Sequence, residues 1–144
     1  MPAKQYCTFY AAGMWLGVPA IEVREVLTSI EITPLPLSPP YVMGLINVRG
    51  EVILVVDLVK RIAGDEELLY NTTSHIIMET RGWPISMMVG SPGEVIWVEE
   101  EEIHPPPASL NRLSRELIKG AVFKSESIML ILDSERASTI VVKG

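Results

Sequence analysis

The chain is poor in the residues from which most reactive sites are built: it holds one cysteine, two histidines and few aromatic side chains. A lone Cys7 excludes an internal disulfide and fits a reducing compartment. Cys7 lies in the run YCTFY, the setting of a strand residue rather than of a reactive thiol. Neither His75 nor His104 stands in a metal-type pair with the other or with Cys7, whereas a closed zinc site needs about four N/S ligands. The nucleophile elbow GxSxG, a Walker-type phosphate loop and HExxH are all absent from the sequence. No catalytic residue, metal or cofactor is therefore expected. Positive charge is scarce as well. A formal net charge of −6 would repel a nucleic-acid backbone and argues against an anionic membrane. The densest basic stretch, Arg112, Arg115 and Lys119, is interleaved with Ser, Glu and Leu and reads as a solvated helix face. The longest apolar run, Val52 to Val56, is far too short to cross a bilayer, so no direct membrane insertion is expected. No basic segment followed by an apolar stretch opens the sequence, so no signal peptide is expected and the chain reads as cytoplasmic.

What the sequence does have is aliphatic mass. Hydrophobic residues make up 48% against 21% charged, enough to fill the core of one domain or of two small lobes sharing one. Short runs rich in Val and Ile, punctuated by Gly, Pro and acidic residues, predict an all-β protein. Strands are expected near Tyr6–Ala11, Met14–Val18, Val23–Ile32, Gly44–Val48, Glu51–Val56, His75–Glu79, Trp83–Val89, Glu94–Val98, Gly120–Lys124, Ser127–Leu132 and Ser138–Val142. Arg49-Gly50 stands where a tight hairpin turn belongs. Helix is expected only as a turn after Asp57 and over Ser109–Leu117, where Leu110, Leu113 and Leu117 keep helical spacing. Two proline-rich connections, Pro34 to Pro40 and Pro105 to Pro107, are stiff and extended.

One internal echo organises the chain. GLINVRGEVILVVD, from Gly44 to Asp57, matches GAVFKSESIMLILD, from Gly120 to Asp133, without gaps. Gly44 falls on Gly120, Leu54 on Leu130 and Asp57 on Asp133, and the apolar positions between them coincide. Each copy reads as strand, turn, buried strand and an aspartate able to cap the first turn of a helix. Two such units imply two similar β-lobes, with the whole chain, 1–144, forming one domain in which strands can be shared. The repeated placement assigns Asp57 and Asp133 to capping, not to a catalytic carboxylate pair. Glu99 to Glu102 reads as a solvated turn.

The stretch GLINVRGEVILVVDL, Gly44 to Leu58, closely resembles the signature of CheW-like domains, roughly G-x-x-N-L-R-G-x-x-x-P-V-x-D-L. The match holds at Gly44, Asn47, Arg49, Gly50, Val55, Asp57 and Leu58, and the similarity extends from Tyr6 to Asp133. The resemblance implies two SH3-like five-stranded β-barrels and a non-enzymatic adaptor. Its implied partners are the regulatory domain of a CheA-type histidine kinase and the cytoplasmic tip of chemoreceptors. By the same resemblance Val23, Glu25, Gly44, Arg49 and Gly50 match partner-binding positions, with Glu25 and Arg49 pairing. Met87, Met88 and Val89 match a strand lining the receptor groove, although core packing serves equally for these three. The chain departs from the family at Leu54 and Val48, in an altered loop at Gly90-Ser91-Pro92-Gly93, and after Asp133. There SERASTIVVKG reads as strand, so a C-terminal helix is expected to be missing.

Three other readings stay open at this stage. They are a docking domain of a non-motility pathway, a small-molecule-binding β-barrel, and an RNA-binding SH3-like protein, the last disfavoured by the acidic balance.

Overall fold

The alternation of apolar residues produces strands that pair into two five-stranded sheets. The structure, a computed structural model, describes residues 2–63, 74–80 and 82–139. In chain order the strands are β1 (Lys4–Ala11), β2 (Met14–Pro19), β3 (Val23–Thr28), β4 (Val42–Val48), β5 (Glu51–Asp57), β6 (Ser74–Thr80), β7 (Trp83–Val89), β8 (Ser91–Val98), β9 (Ile118–Lys124) and β10 (Ser127–Leu132). Among the described residues the α-helices are short: α1 (Leu58–Ala63) and α2 (Arg112–Leu117) lie between strands, and α3 (Ser134–Ser138) follows β10. One sheet runs β8-β1-β2-β10-β9 and the other β3-β6-β7-β5-β4.

The two sheets repeat one arrangement of strands, and the internal echo falls on equivalent hairpins of the two. Leu45 lies opposite Leu54 and Ile46 opposite Ile53; 76 residues on, Ala121 lies opposite Leu130 and Val122 opposite Met129. Asp57 N–H donates to the Tyr41 carbonyl at 2.7 Å, and Asp133 N–H donates to the Leu117 carbonyl at the same 2.7 Å. Each aspartate then caps its helix through Oδ1, accepting from Lys60 N–H at 3.2 Å and from Arg136 N–H at 3.0 Å. The correspondence extends beyond the echo. β5 pairs in parallel with β7, placing Leu54 beside Ile85, and β10 pairs in parallel with β2, placing Leu130 beside Leu16. Thus β3 to β7 form one barrel in a single pass. The other takes β8 to β10 from the end of the chain and β1 to β2 from its start.

Side-chain alternation explains why β5 and β10 are nearly all apolar. Successive residues of a strand face opposite sides. Met129 and Ile131 point into the barrel of β1, β2 and β8–β10, while Leu130 and Leu132 point into a core shared with the other barrel. In β5, Ile53 and Val55 fill the second barrel and Val56 the shared core. The shared core also holds Phe9 and Leu16 from one sheet and Met78 and Met87 from the other.

Several expectations need correction. The third strand stops at Thr28 rather than Ile32, because Ser29 turns the chain with φ 54°. Gly90 to Gly93 is not an altered loop: Ser91 already opens β8, and Pro92 is tolerated because β8 is a sheet edge with a register shift beside it. Helix α2 is shorter than expected, starting after Asn111, whose Oδ1 accepts from Ser114 N–H at 2.8 Å; Leu113 is exposed and Ser114 is buried in its place. After Asp133 the chain forms helix α3 rather than a strand. The expected loss of a C-terminal helix is thus overturned as far as Ser138, Thr139 caps that helix, and residues 140–142 of the expected strand lie outside the described residues.

Candidate functional site

The candidate residues from the sequence fall into two groups, one on the rim of the second barrel and one inside it. On the rim, β3 is a sheet edge and bulges at Arg24, between Val23 opposite Met78 and Glu25 opposite Ile77. The β4–β5 turn is a two-residue loop, with Val48 opposite Glu51 and both central residues left-handed, Arg49 at φ 50° and Gly50 at φ 85°. That geometry belongs to the primed hairpin turns, whose twist matches that of the flanking strands. Asn47 Oδ1 holds it by accepting from Gly50 N–H at 2.9 Å.

The turn leans over the β3 edge. Arg49 Nη1 donates to Glu25 Oε1 at 2.6 Å and Nη2 to Oε2 at 2.8 Å, a two-point clasp that fixes both planes. Arg24 reaches the other way, donating to Glu51 at 2.5 Å and also to Glu79. The hydrogen bonds from Arg49 hold the Glu25 carboxyl below its usual range, with burial opposing them, and the same bonds raise the pKa of Arg49. The clasp is asymmetric: the Arg49 side chain is 73% exposed and that of Glu25 only 19%. Val23, partly buried, packs on the shared core beneath.

The remaining candidates lie deeper. Gly44 is buried with φ +141°, and a Cβ there would stand 2.1 Å from the Thr33 carbonyl oxygen. Glycine is required at this position by the close crossing of the chain, whatever else binds nearby. Met87 and Val89 sit in the shared core and Met88 in the second barrel's core, all nearly or fully buried. Of the two readings the sequence left for these three, core packing is the one the fold displays: with the sheet covered on both faces, both sets of alternating side chains point inward.

Sequence reasoning missed Arg24 and Glu51, whose ion pair doubles the Arg49–Glu25 clasp on the same rim. The spacing of RE in β3 and RGE in the turn carried that signal. Other polar groups are structural. His75 is buried, with Nδ1 2.9 Å from Ser86 Oγ, and burial lowers its pKa. Glu102 Oε1 accepts from Glu99 N–H at 2.9 Å, closing the turn over Glu100–Glu102, and Glu102 pairs with Lys124 at 2.7 Å. Among the described residues no group of three or more His, Cys, Asp or Glu could hold a metal ion, and no helix is long and apolar enough to cross a membrane.

The described residues thus form two five-stranded β-lobes, with ion pairs across the partly exposed rim of the second. The profile described as CheW-like domain matches residues 5–140, and the chain belongs to the CheW-like family. The chemotaxis protein CheW of Treponema pallidum is 27% identical over 137 residues, covering 90% of this chain and 78% of that protein. The chemotaxis protein CheW of Bacillus subtilis is 28% identical over 131 residues, covering 91% of this chain and 84% of that one. The crystal structure of the scaffolding protein TtCheW from Thermoanaerobacter tengcongensis superposes with a TM-score of 0.79 at 29% identity, covering 92% of this chain and 90% of that one.

Proposed function

We propose that this chain is a non-enzymatic scaffold of chemotaxis-type signalling, a single CheW-like domain that couples a CheA-type histidine kinase to chemoreceptors in the cytoplasm. The observation that carries the reading is family membership over nearly the whole chain, with the fold of a scaffolding relative. The kinase regulatory domain and the receptor tip are the proposed partners. Val23, Glu25, Arg49 and Gly50 form the proposed contact surface, with Arg49 as its most accessible cation. Gly44 supports that surface from beneath by letting β4 cross Thr33. Met87, Met88 and Val89 act through the shape of the barrels, since their side chains are enclosed. A stable complex would bury about 1,200–2,000 Å².

Co-purification with a CheA-type kinase regulatory domain and a receptor fragment tests the proposal. Recovery of both with the wild-type chain supports it, and recovery of neither overturns it.

A further inference from the structure

The two barrels treat the same place differently. Met78 opposite Ile85 in the second barrel answers to Phe9 opposite Leu16 in the first. The β3 bulge over Ile77 likewise answers to the β8 register shift over Thr8. By that correspondence Glu94 stands where Glu25 does and Gly93 where Arg24 does. Across the rim, the hairpin residues Ser125 and Ser127 stand where Arg49 and Glu51 do; Ser125 shares the left-handed φ of 50° found at Arg49. Both ion pairs that close the second barrel's rim are therefore absent from the first, and only the glutamate half of one remains.

The consequence is an open cleft of about 500 Å³ between β8 and the β9–β10 turn, lined by Tyr10, Trp15, Glu94, Ile96, Ser125 and Ser127. The Glu94 side chain is exposed and has no ion-pair partner among the described residues. The Trp15 indole N–H is buried with no acceptor among them; a guanidinium, itself only a donor, would not bond it, so it serves as a reporter of the cleft. We propose that this cleft receives an arginine side chain presented by a protein partner, the guanidinium taking on Glu94 the seat that Arg49 takes on Glu25. Three features favour that occupant. The fork geometry already works on the equivalent glutamate at 2.6 and 2.8 Å. Trp15 and Tyr10 place aromatic side chains in the lining, and guanidinium stacks on aromatic rings better than ammonium does. The neighbouring Val95, Phe123 and Ile128 are exposed apolar residues of the same strands, which suits a folded partner more than a small solute. The inference does not depend on the kinase assignment.

The test titrates the full chain with N-acetyl-arginine amide while following the Trp15 indole N–H resonance. Three comparison probes are the neutral isostere N-acetyl-citrulline amide, N-acetyl-lysine amide and free L-arginine. A saturable shift with the capped arginine, weaker by at least about ten-fold with citrulline and lysine analogues, is expected. Glu94→Gln should abolish it. Ser125→Arg, which supplies the guanidinium from within as the second barrel does, should abolish it while leaving Tm unchanged or raised. No saturable shift, an equal response to citrulline, or full binding by folded Ser125→Arg would overturn the proposal. Free L-arginine binding at least about ten-fold tighter than the capped form would also overturn it, by making the site a receptor for a metabolite.

Discussion

Arg49 clasps Glu25 with two nitrogens while keeping most of its own surface in solvent. A pair so exposed contributes little to folding, because water screens it and ordering two long side chains costs entropy. Arg49→Glu is therefore expected to leave Tm nearly unchanged. The double variant Glu25→Arg with Arg49→Glu restores opposite charges, so it should match the wild type in thermal melts while remaining defective in partner binding. A large fall in Tm for the single variant would make Arg49 a structural residue and remove it from the docking surface.

Gly44 and Gly50 should behave differently although both have positive φ. Gly44→Ala forces a Cβ against the Thr33 backbone and is expected to cost at least about 2 kcal/mol in denaturant unfolding. At Gly50 nothing lies within 4 Å of an added Cβ, so Gly50→Ala should cost only the left-handed strain, about 1–2 kcal/mol. Equal losses at the two positions would contradict this reading.

Asp57 combines a cap with a burial penalty. Burial raises its pKa, opposed by the Lys60 backbone N–H and the Lys60 charge. A carboxyl with a higher pKa in the folded state binds its proton more tightly there, so this group's contribution falls as pH rises from the unfolded pKa through the folded one. Asp57→Asn keeps an oxygen acceptor and removes the buried charge. It should raise Tm at neutral pH and lose that advantage in acid. Asp57→Ala, which removes the cap altogether, should cost about 0.5–2 kcal/mol.

His75 has the opposite dependence. Burial lowers its pKa from 6.5, so the unfolded chain takes up the proton first. Its contribution is full above the unfolded pKa and is lost as pH falls below it toward the lowered folded value. Thermal melts across that range should show a slope in the wild type that flattens in His75→Gln, whatever the variant's absolute stability. An unchanged slope would assign the pH dependence to other groups.

The strands that could be read from sequence were those whose pattern was doubly determined. β5 and β10 carry apolar side chains on both faces because each face meets a core, and their Gly and Asp anchors mark turn and cap. The helix after Asp133 was hidden because SERAS forms one turn only, held by the Asp133 cap and by packing against α2, neither of which local propensity reports. Pro92 and Gly93 read as loop residues, yet an edge strand accommodates them. Methionines serve surfaces and cores alike, so only the fold places Met87 and Met88 in the cores. The correspondence between Glu25 and Glu94 was invisible because the strands that establish it, β6–β7 and β1–β2, share geometry without sharing residues.

The docking claim is tested most directly by titrating the wild-type chain and Arg49→Glu against an isolated CheA-type kinase regulatory domain, with Tm recorded for both. Saturable wild-type binding, weakened by about ten-fold or more in a fully folded Arg49→Glu, is the predicted result. Absence of wild-type binding, or equal binding by the two proteins, would contradict it.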